Sequence, residues 1–139
     1  MFHHSHSVSE TEAIAAELAR TLVGGECIAL DGDLGAGKTQ FVRGLVRGLG
    51  GQPRTVSSPT FVLLNIYDTG RLPVYHLDAY RTHGPDDFEA IGFAELLEQG
   101  GVVALEWPRR VAEVLPDKVI HVRFEILSRQ CREIQIARP

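Results

Sequence analysis

The chain has 139 residues, 44% of them hydrophobic, and a formal net charge of -4. That length suits one domain with an ordinary core and leaves no room for a second. The charge argues against a large nonspecific phosphate-binding surface, so no DNA partner is expected. Apolar runs such as Phe61-Val62-Leu63-Leu64 fall far below the roughly 18 residues of a membrane span, so none is expected.

The opening Met1-Phe2-His3-His4-Ser5-His6 has no basic stretch leading into an apolar core, so it does not read as a secretory signal and a cytoplasmic location is expected. Its histidines have no carboxylate or cysteine beside them, and residues 1–8 read as a mobile polar arm of a single domain spanning residues 1–139. Ser9-Glu10-Thr11-Glu12 matches a capping box, and Ile14, Leu18 and Leu22 follow at helical spacing. A helix over residues 9–22 is predicted, stopped by Gly24-Gly25. Cys27 lies in an apolar run as a buried thiol, and its distance from Cys131 gives no metal-binding spacing.

Cys27-Ile28-Ala29-Leu30 reads as a buried parallel strand that runs into Gly32-Asp33-Leu34-Gly35-Ala36-Gly37-Lys38-Thr39. Phe41, Val42, Leu45, Val46 and Leu49 then mark one face of a helix ended by Gly50-Gly51. This is the G-x-x-x-x-G-K-T loop between strand and helix. Unpaired N–H groups and partial positive charge at the helix start suit a polyphosphate. Gly35 and Gly37 give the loop its freedom, Lys38 bridges the terminal phosphates, and the Thr39 hydroxyl ligates Mg²⁺. Asp33, Leu34, Gly35, Ala36, Gly37, Lys38, Thr39 and Gln40 are therefore the predicted nucleotide-binding residues. Guanine-specific P-loop proteins carry Asn-Lys-x-Asp, whereas the one Asn65 is followed by Ile66, so ATP with magnesium is the expected ligand.

Ser57-Ser58-Pro59-Thr60 connects to a strand from Phe61 to Tyr67, which a turn at Asp68-Thr69-Gly70 joins to a second strand, Val74 to Leu77, as a hairpin. Thr60 sits where switch segments contact the γ-phosphate, although Ser-Pro-Thr is also an ordinary turn. His76 reads first as a satisfied core histidine and second as a general base, while Arg81 reads as a phosphate or partner contact or as a surface ion pair. A helical region from Pro85 to Leu97 breaks near Gly92, and Val102 to Leu105 form an apolar strand tipped by Glu106. Hydrolysis needs carboxylates around the metal and the attacking water. Glu106, in the Walker B position, and Asp78, after Val74 to Leu77, are the candidates beside Lys38 and Thr60, each also readable as a helix-capping or surface carboxylate. Trp107 reads as a stacking surface for the base, a wall of the site, or core packing.

Arg109 to Leu115 is predicted as a short helix before Pro116. Ile120, Val122, Phe124 and Ile126 alternate with polar residues in a half-exposed strand, and Ile134 and Ile136 mark its antiparallel partner. These elements describe an α/β, three-layer fold of P-loop NTPase type, with a mainly parallel central sheet and antiparallel flanking strands.

The blocks Gly32 to Thr39, Ser58-Pro59-Thr60-Phe61, His76-Leu77-Asp78-Ala79-Tyr80-Arg81 and Glu106-Trp107-Pro108 closely resemble the bacterial TsaE family, formerly YjeE, over roughly residues 8 to 126. The resemblance implies a small P-loop ATPase, weak alone and stimulated by TsaD and TsaB. It would serve the formation of threonylcarbamoyladenosine in tRNA without transferring the group itself, meeting tRNA through that complex. It also implies phosphate binding by Lys38, a magnesium shell of Thr39, Asp78 and Glu106, a switch at Thr60, and Trp107 in the nucleotide site. Ala79 departs from the family, which commonly has leucine there. The rivals are a small-molecule kinase with Arg109-Arg110 as a lid, and a nucleotide-dependent binding module with incidental hydrolysis.

Overall fold

The computed structural model describes residues 1–59, 63–80, 82 and 84–139. In chain order they form β1 (Phe2–Ser5), α1 (Val8–Ala19), β2 (Cys27–Asp31), α2 (Lys38–Gly48), β3 (Leu64–Tyr67), β4 (Val74–Asp78), α3 (Pro85–Ala90), α4 (Phe93–Glu98), β5 (Val102–Glu106), β6 (Ile120–Ile126) and β7 (Arg132–Ala137). Turns of 3-10 helix occupy Pro53–Thr55 and Pro108–Val114.

Among the described residues the strands make one seven-stranded sheet in the order β1-β7-β6-β2-β5-β4-β3. Its centre, β6-β2-β5-β4, is parallel. The flanks are antiparallel: β3 on β4 at one side, and β7 and β1 beyond β6 at the other. The expected three-layer α/β arrangement and the β3-β4 hairpin are both present. Alternation splits the core in two. Ile28, Leu30, Val74, Val102, Ala104, Val122 and Phe124 face α1 and α2, whereas Cys27, Tyr75, Leu77, Val103 and Leu105 face Phe88, Phe93, Leu96 and Val111. Burial pushes the Cys27 thiol up to about 12, so it is inert at neutral pH.

α1 and α2 approach closely because small residues line their contact. A Cβ at Gly44 would stand 2.3 Å from the Glu12 carbonyl oxygen and 2.7 Å from Ala15 Cβ, and one at Gly48 2.7 Å from the Ala16 carbonyl oxygen. Backbone cannot give way as a flexible side chain does, so Gly44→Ala forces the helices apart. Overpacking costs about 1–3 kcal/mol, against the roughly 1 kcal/mol of helix propensity that alanine returns. Gly44→Ala should therefore lower the thermal unfolding midpoint by a few degrees, and an unchanged midpoint in a calorimetric scan would refute this account of the packing.

Three expectations need correction. Phe2–Ser5 is not a mobile arm but edge strand β1, paired antiparallel with β7 over Phe2↔Gln135 to Ser5↔Arg132. β7 offers an open edge that backbone groups can satisfy whatever the side chains are, which is why the histidine-rich composition misled. α1 begins one residue early, because the overlapping frame Ser7-Val8-Ser9-Glu10 supplies the cap. The Ser7 hydroxyl accepts from Glu10 N at 3.1 Å, and the Glu10 carboxylate accepts from His6 N at 2.6 Å. The helix ends at Ala19, before Leu22 and the glycine pair. The segment after β5 is 3-10 rather than α-helical, kinked where Val111 (φ -133°, ψ 29°) turns inward and is buried. Phe61 and Val62, expected to begin the strand of β3, lie outside the described residues, as do Thr60, Arg81 and His83. Among the described residues, no helix is long and apolar enough to cross a membrane.

Candidate functional site

β2 ends at Asp31, and the chain turns through Gly32 to Gly37 before α2 starts at Lys38. Gly35 (φ 81°) and Gly37 (φ 106°) take left-handed angles that a side chain would oppose. Gly37 is the N-cap, so no side chain caps the helix start, and the first-turn N–H groups remain for an outside acceptor. The tip, at Leu34, is exposed.

Lys38 is buried, with Nζ donating to the Gly32 carbonyl at 2.6 Å and lying 3.6 Å from the Trp107 ring centroid. Burial draws its ammonium below the usual lysine range, while Glu106, then Asp78, Asp31 and Asp33 oppose that shift. The indole is held for this contact by an unusual backbone: Trp107 has φ 60° and ψ 53°. Such strain costs on the order of 1–3 kcal/mol and concentrates at functional sites. Trp107 also packs against Tyr80, with ring centroids 5.0 Å apart, so it walls the end of the site where Lys38 points.

Strand pairing brings the two acids together. Asp78 ends β4, Glu106 ends β5, and the two are direct register partners on adjacent parallel strands. Both are only 3–4% exposed. Asp78 accepts from Tyr80 N at 2.8 Å, and the Thr39 hydroxyl points at Glu106 Oε2 at 3.5 Å. Two buried carboxylates side by side repel unless a cation joins them, and Lys38 is the cation already there. The remaining donors, two carboxylates and a hydroxyl, are hard oxygens that suit Mg²⁺ completing its shell with water and phosphate. The residues present therefore fit that metal. A cavity of about 450 Å³ opens onto this set, bounded by Gly35, Gly37, Gln40, Ser58, Tyr80 and Trp107.

His76 reads correctly as a satisfied core histidine. It is wholly buried, with Nε2 at 2.6 Å from Glu106 Oε2 and Nδ1 at 3.0 Å from the Tyr67 hydroxyl. Tyr67, which sequence reasoning passed over, bonds Ser57 twice, donating to its carbonyl at 2.8 Å and accepting from its N–H at 3.1 Å.

Arg132 was missed too. Its guanidinium donates to the Gly35 carbonyl at 3.2 Å and faces a second cleft, of about 430 Å³, on the Gln40 side of the loop. Ser5, Ser7, Thr11, Arg129 and Gln130 line the same cleft. No local signal marked Arg132, because 97 residues separate it from Gly35. Arg109 turns away to Asp31, its Nη2 and Nε both donating to Oδ2, at 2.9 and 3.1 Å. The structure brings together Lys38, Thr39, Asp78, Glu106 and Trp107, while Thr60 and Arg81 lie outside the described residues.

Known proteins share this architecture and sequence. The family model for "Threonylcarbamoyl adenosine biosynthesis protein TsaE" matches residues 5–134. A tRNA threonylcarbamoyladenosine biosynthesis protein TsaE from Treponema pallidum is 41% identical over 133 residues, covering 96% of this chain and 97% of its own. The Bacillus subtilis protein of the same name is 40% identical over 125 residues, covering 90% and 77%. A crystal structure of Bacillus subtilis YdiB superposes with a TM-score of 0.82 at 31% identity, over 99% of this chain and 84% of that one. With a family model spanning nearly the whole sequence and relatives this similar over most of their length, the chain belongs to the TsaE family.

Proposed function

We propose that this protein binds ATP with magnesium and hydrolyses it slowly, as an auxiliary of tRNA N6-threonylcarbamoyladenosine formation that acts on the TsaD-TsaB complex without transferring the group itself. Membership of the TsaE family supports the place in tRNA modification. The observation that carries the ATPase reading is the buried Asp78-Glu106 pair facing Thr39 and Lys38 at the uncapped start of α2. The site's cytoplasmic setting is part of the same reading.

The N–H groups of Gly35 to Thr39 would hold the phosphates, with Lys38 toward the terminal one. That end of the loop leads to Asp78 and Glu106, so the cleft on the other side, bounded by Gln40, Ser7 and Arg132, would receive the nucleoside. Thr39, Asp78 and Glu106 would hold magnesium, which neutralises charge on the β- and γ-phosphate oxygens when bound. Glu106, braced by His76, orients the attacking water. Trp107 shields the Lys38 end from solvent. Of the two arginines of the kinase alternative, Arg109 is paired with Asp31 and Arg110 lies over the Tyr80 ring, 5.6 Å from its centroid.

The test is ATP turnover with and without the TsaD-TsaB complex. Slow turnover alone and a marked rise with the complex are expected. Turnover absent under both conditions, or phosphate passed to a metabolite, would overturn the proposal.

A further inference from the structure

We propose that His76 is the positioning residue for Glu106, and that Tyr67 couples it to the backbone of Ser57, so that the connection leading out of residue 57 and the carboxylate are held by one continuous chain of hydrogen bonds. The inference rests on the ATPase reading for its consequence, though not for its geometry.

The chain is continuous. Ser57 is bonded at both its N–H and its carbonyl by Tyr67, whose oxygen lies 3.0 Å from His76 Nδ1, and His76 Nε2 lies 2.6 Å from Glu106 Oε2. Strand geometry builds it. Residues 74, 76 and 78 of β4 share the face toward α2, and Ala104 and Glu106 share that face on β5. His76 pairs in register with Ala104, whose small side chain leaves space for the imidazole to lean along the strand toward Glu106. Enclosed side chains that orient a carboxylate in this way set its angle to whatever it binds, and losing such a partner typically costs about 10–100-fold in metal affinity or activity.

The hydrogen inventory makes the coupling two-way. Tyr67 has one hydroxyl hydrogen, and both the Ser57 carbonyl and a bare His76 Nδ1 are within reach of it. A neutral imidazole donates to Glu106 from Nε2 only when Nδ1 is bare, and a bare Nδ1 needs the Tyr67 hydrogen. In that neutral form the grip on Ser57 and the donation to Glu106 compete for one hydrogen, and displacing residue 57 frees it for the histidine. Asn65, the register neighbour of His76 on β3, donates to the same Ser57 carbonyl at 3.2 Å, so that acceptor keeps a partner when Tyr67 turns away.

Three variants separate this role from simple packing. His76→Gln keeps an N–H donor at the distance of Nε2, His76→Asn keeps only the inner position, and Tyr67→Phe keeps the ring but removes the hydroxyl. In the free protein, nitrogen-edited NMR of the histidine rings should give a downfield N–H proton for buried His76 that vanishes in Glu106→Ala and shifts in Tyr67→Phe. That readout needs no nucleotide. With ATP, His76→Asn should lower kcat about 10–100-fold with KM changed less than about threefold, His76→Gln should recover most of it, and Tyr67→Phe should fall between. A wild-type protein that turns over no ATP refutes the ATPase reading, while the ring proton still decides the geometry. A ring proton indifferent to Glu106→Ala, or a folded His76→Asn as active as wild type, overturns the role of His76. Losses in His76→Asn and His76→Gln that track melting temperature equally do the same.

Discussion

Lys38→Ala should abolish tight ATP binding, raising the dissociation constant for MgATP about a hundredfold or more, equivalent to roughly 3 kcal/mol. Lys38 is one of two lysines in the chain, the other being Lys118, and it is the one at the helix start. In the free protein its ammonium is parked on the Gly32 carbonyl and against the Trp107 face. Both are weaker partners than a phosphate oxygen, so binding exchanges a neutral acceptor for an ionic one. A second effect pulls the same way, since removing Lys38 takes away a positive charge that Glu106 and Asp78 favour while a polyanion approaches. Titration calorimetry with MgATP decides the matter. A dissociation constant within about threefold of wild type would show that the backbone groups of the loop hold the phosphates unaided.

Glu106→Ala should separate binding from hydrolysis. Most of the binding energy comes from the loop and Lys38, so affinity for MgATP should stay within several-fold. Turnover should fall about 10²–10³-fold, because the preorganised charged group that orients the water is lost. Stability should drop as well, since the variant strips wholly buried His76 of its carboxylate. A buried polar group left without its partner costs about 1–3 kcal/mol. Glu106→Gln keeps an acceptor for the imidazole, so it should lose turnover while regaining much of that stability. Phosphate release under single-turnover conditions, beside equilibrium binding and thermal melts, gives the three quantities. Equal turnover in wild type and Glu106→Ala would remove Glu106 from the chemistry.

Both acids were legible because of where apolar runs stop. Val102 to Leu105 and Val74 to Leu77 read as buried strands, and a carboxylate at the end of such a strand has no apolar place to go. The hairpin of β3 and β4 and the β6-β7 pair were legible from alternation and turn residues. Strand β1 was not, since its pairing belongs to the open edge of β7 rather than to its own side chains. The capping frame of α1 was ambiguous in the same way. Two S-x-x-E frames overlap, and the inner packing of Thr11 against Ser5, whose hydroxyls lie 2.7 Å apart, accompanies the earlier one.

What the amino-acid order determined by itself is whatever is contiguous: the strand, glycine loop and helix of residues 27–48, with Lys38 and Thr39 at the helix start. Eight neighbouring residues can specify a phosphate cradle because its groups are mostly backbone. The tertiary structure alone decided the company those residues keep. Parallel strands joined through helices carry no local signal of register, so only the assembled sheet sets Asp78 opposite Glu106. Only the assembled fold brings Glu106 to Thr39 across 67 residues, Arg132 to Gly35 across 97, and Tyr67 and His76 between Ser57 and the carboxylate. Side chains so far apart in the chain meet because burying both faces of one sheet fixes every strand's neighbour and facing at once.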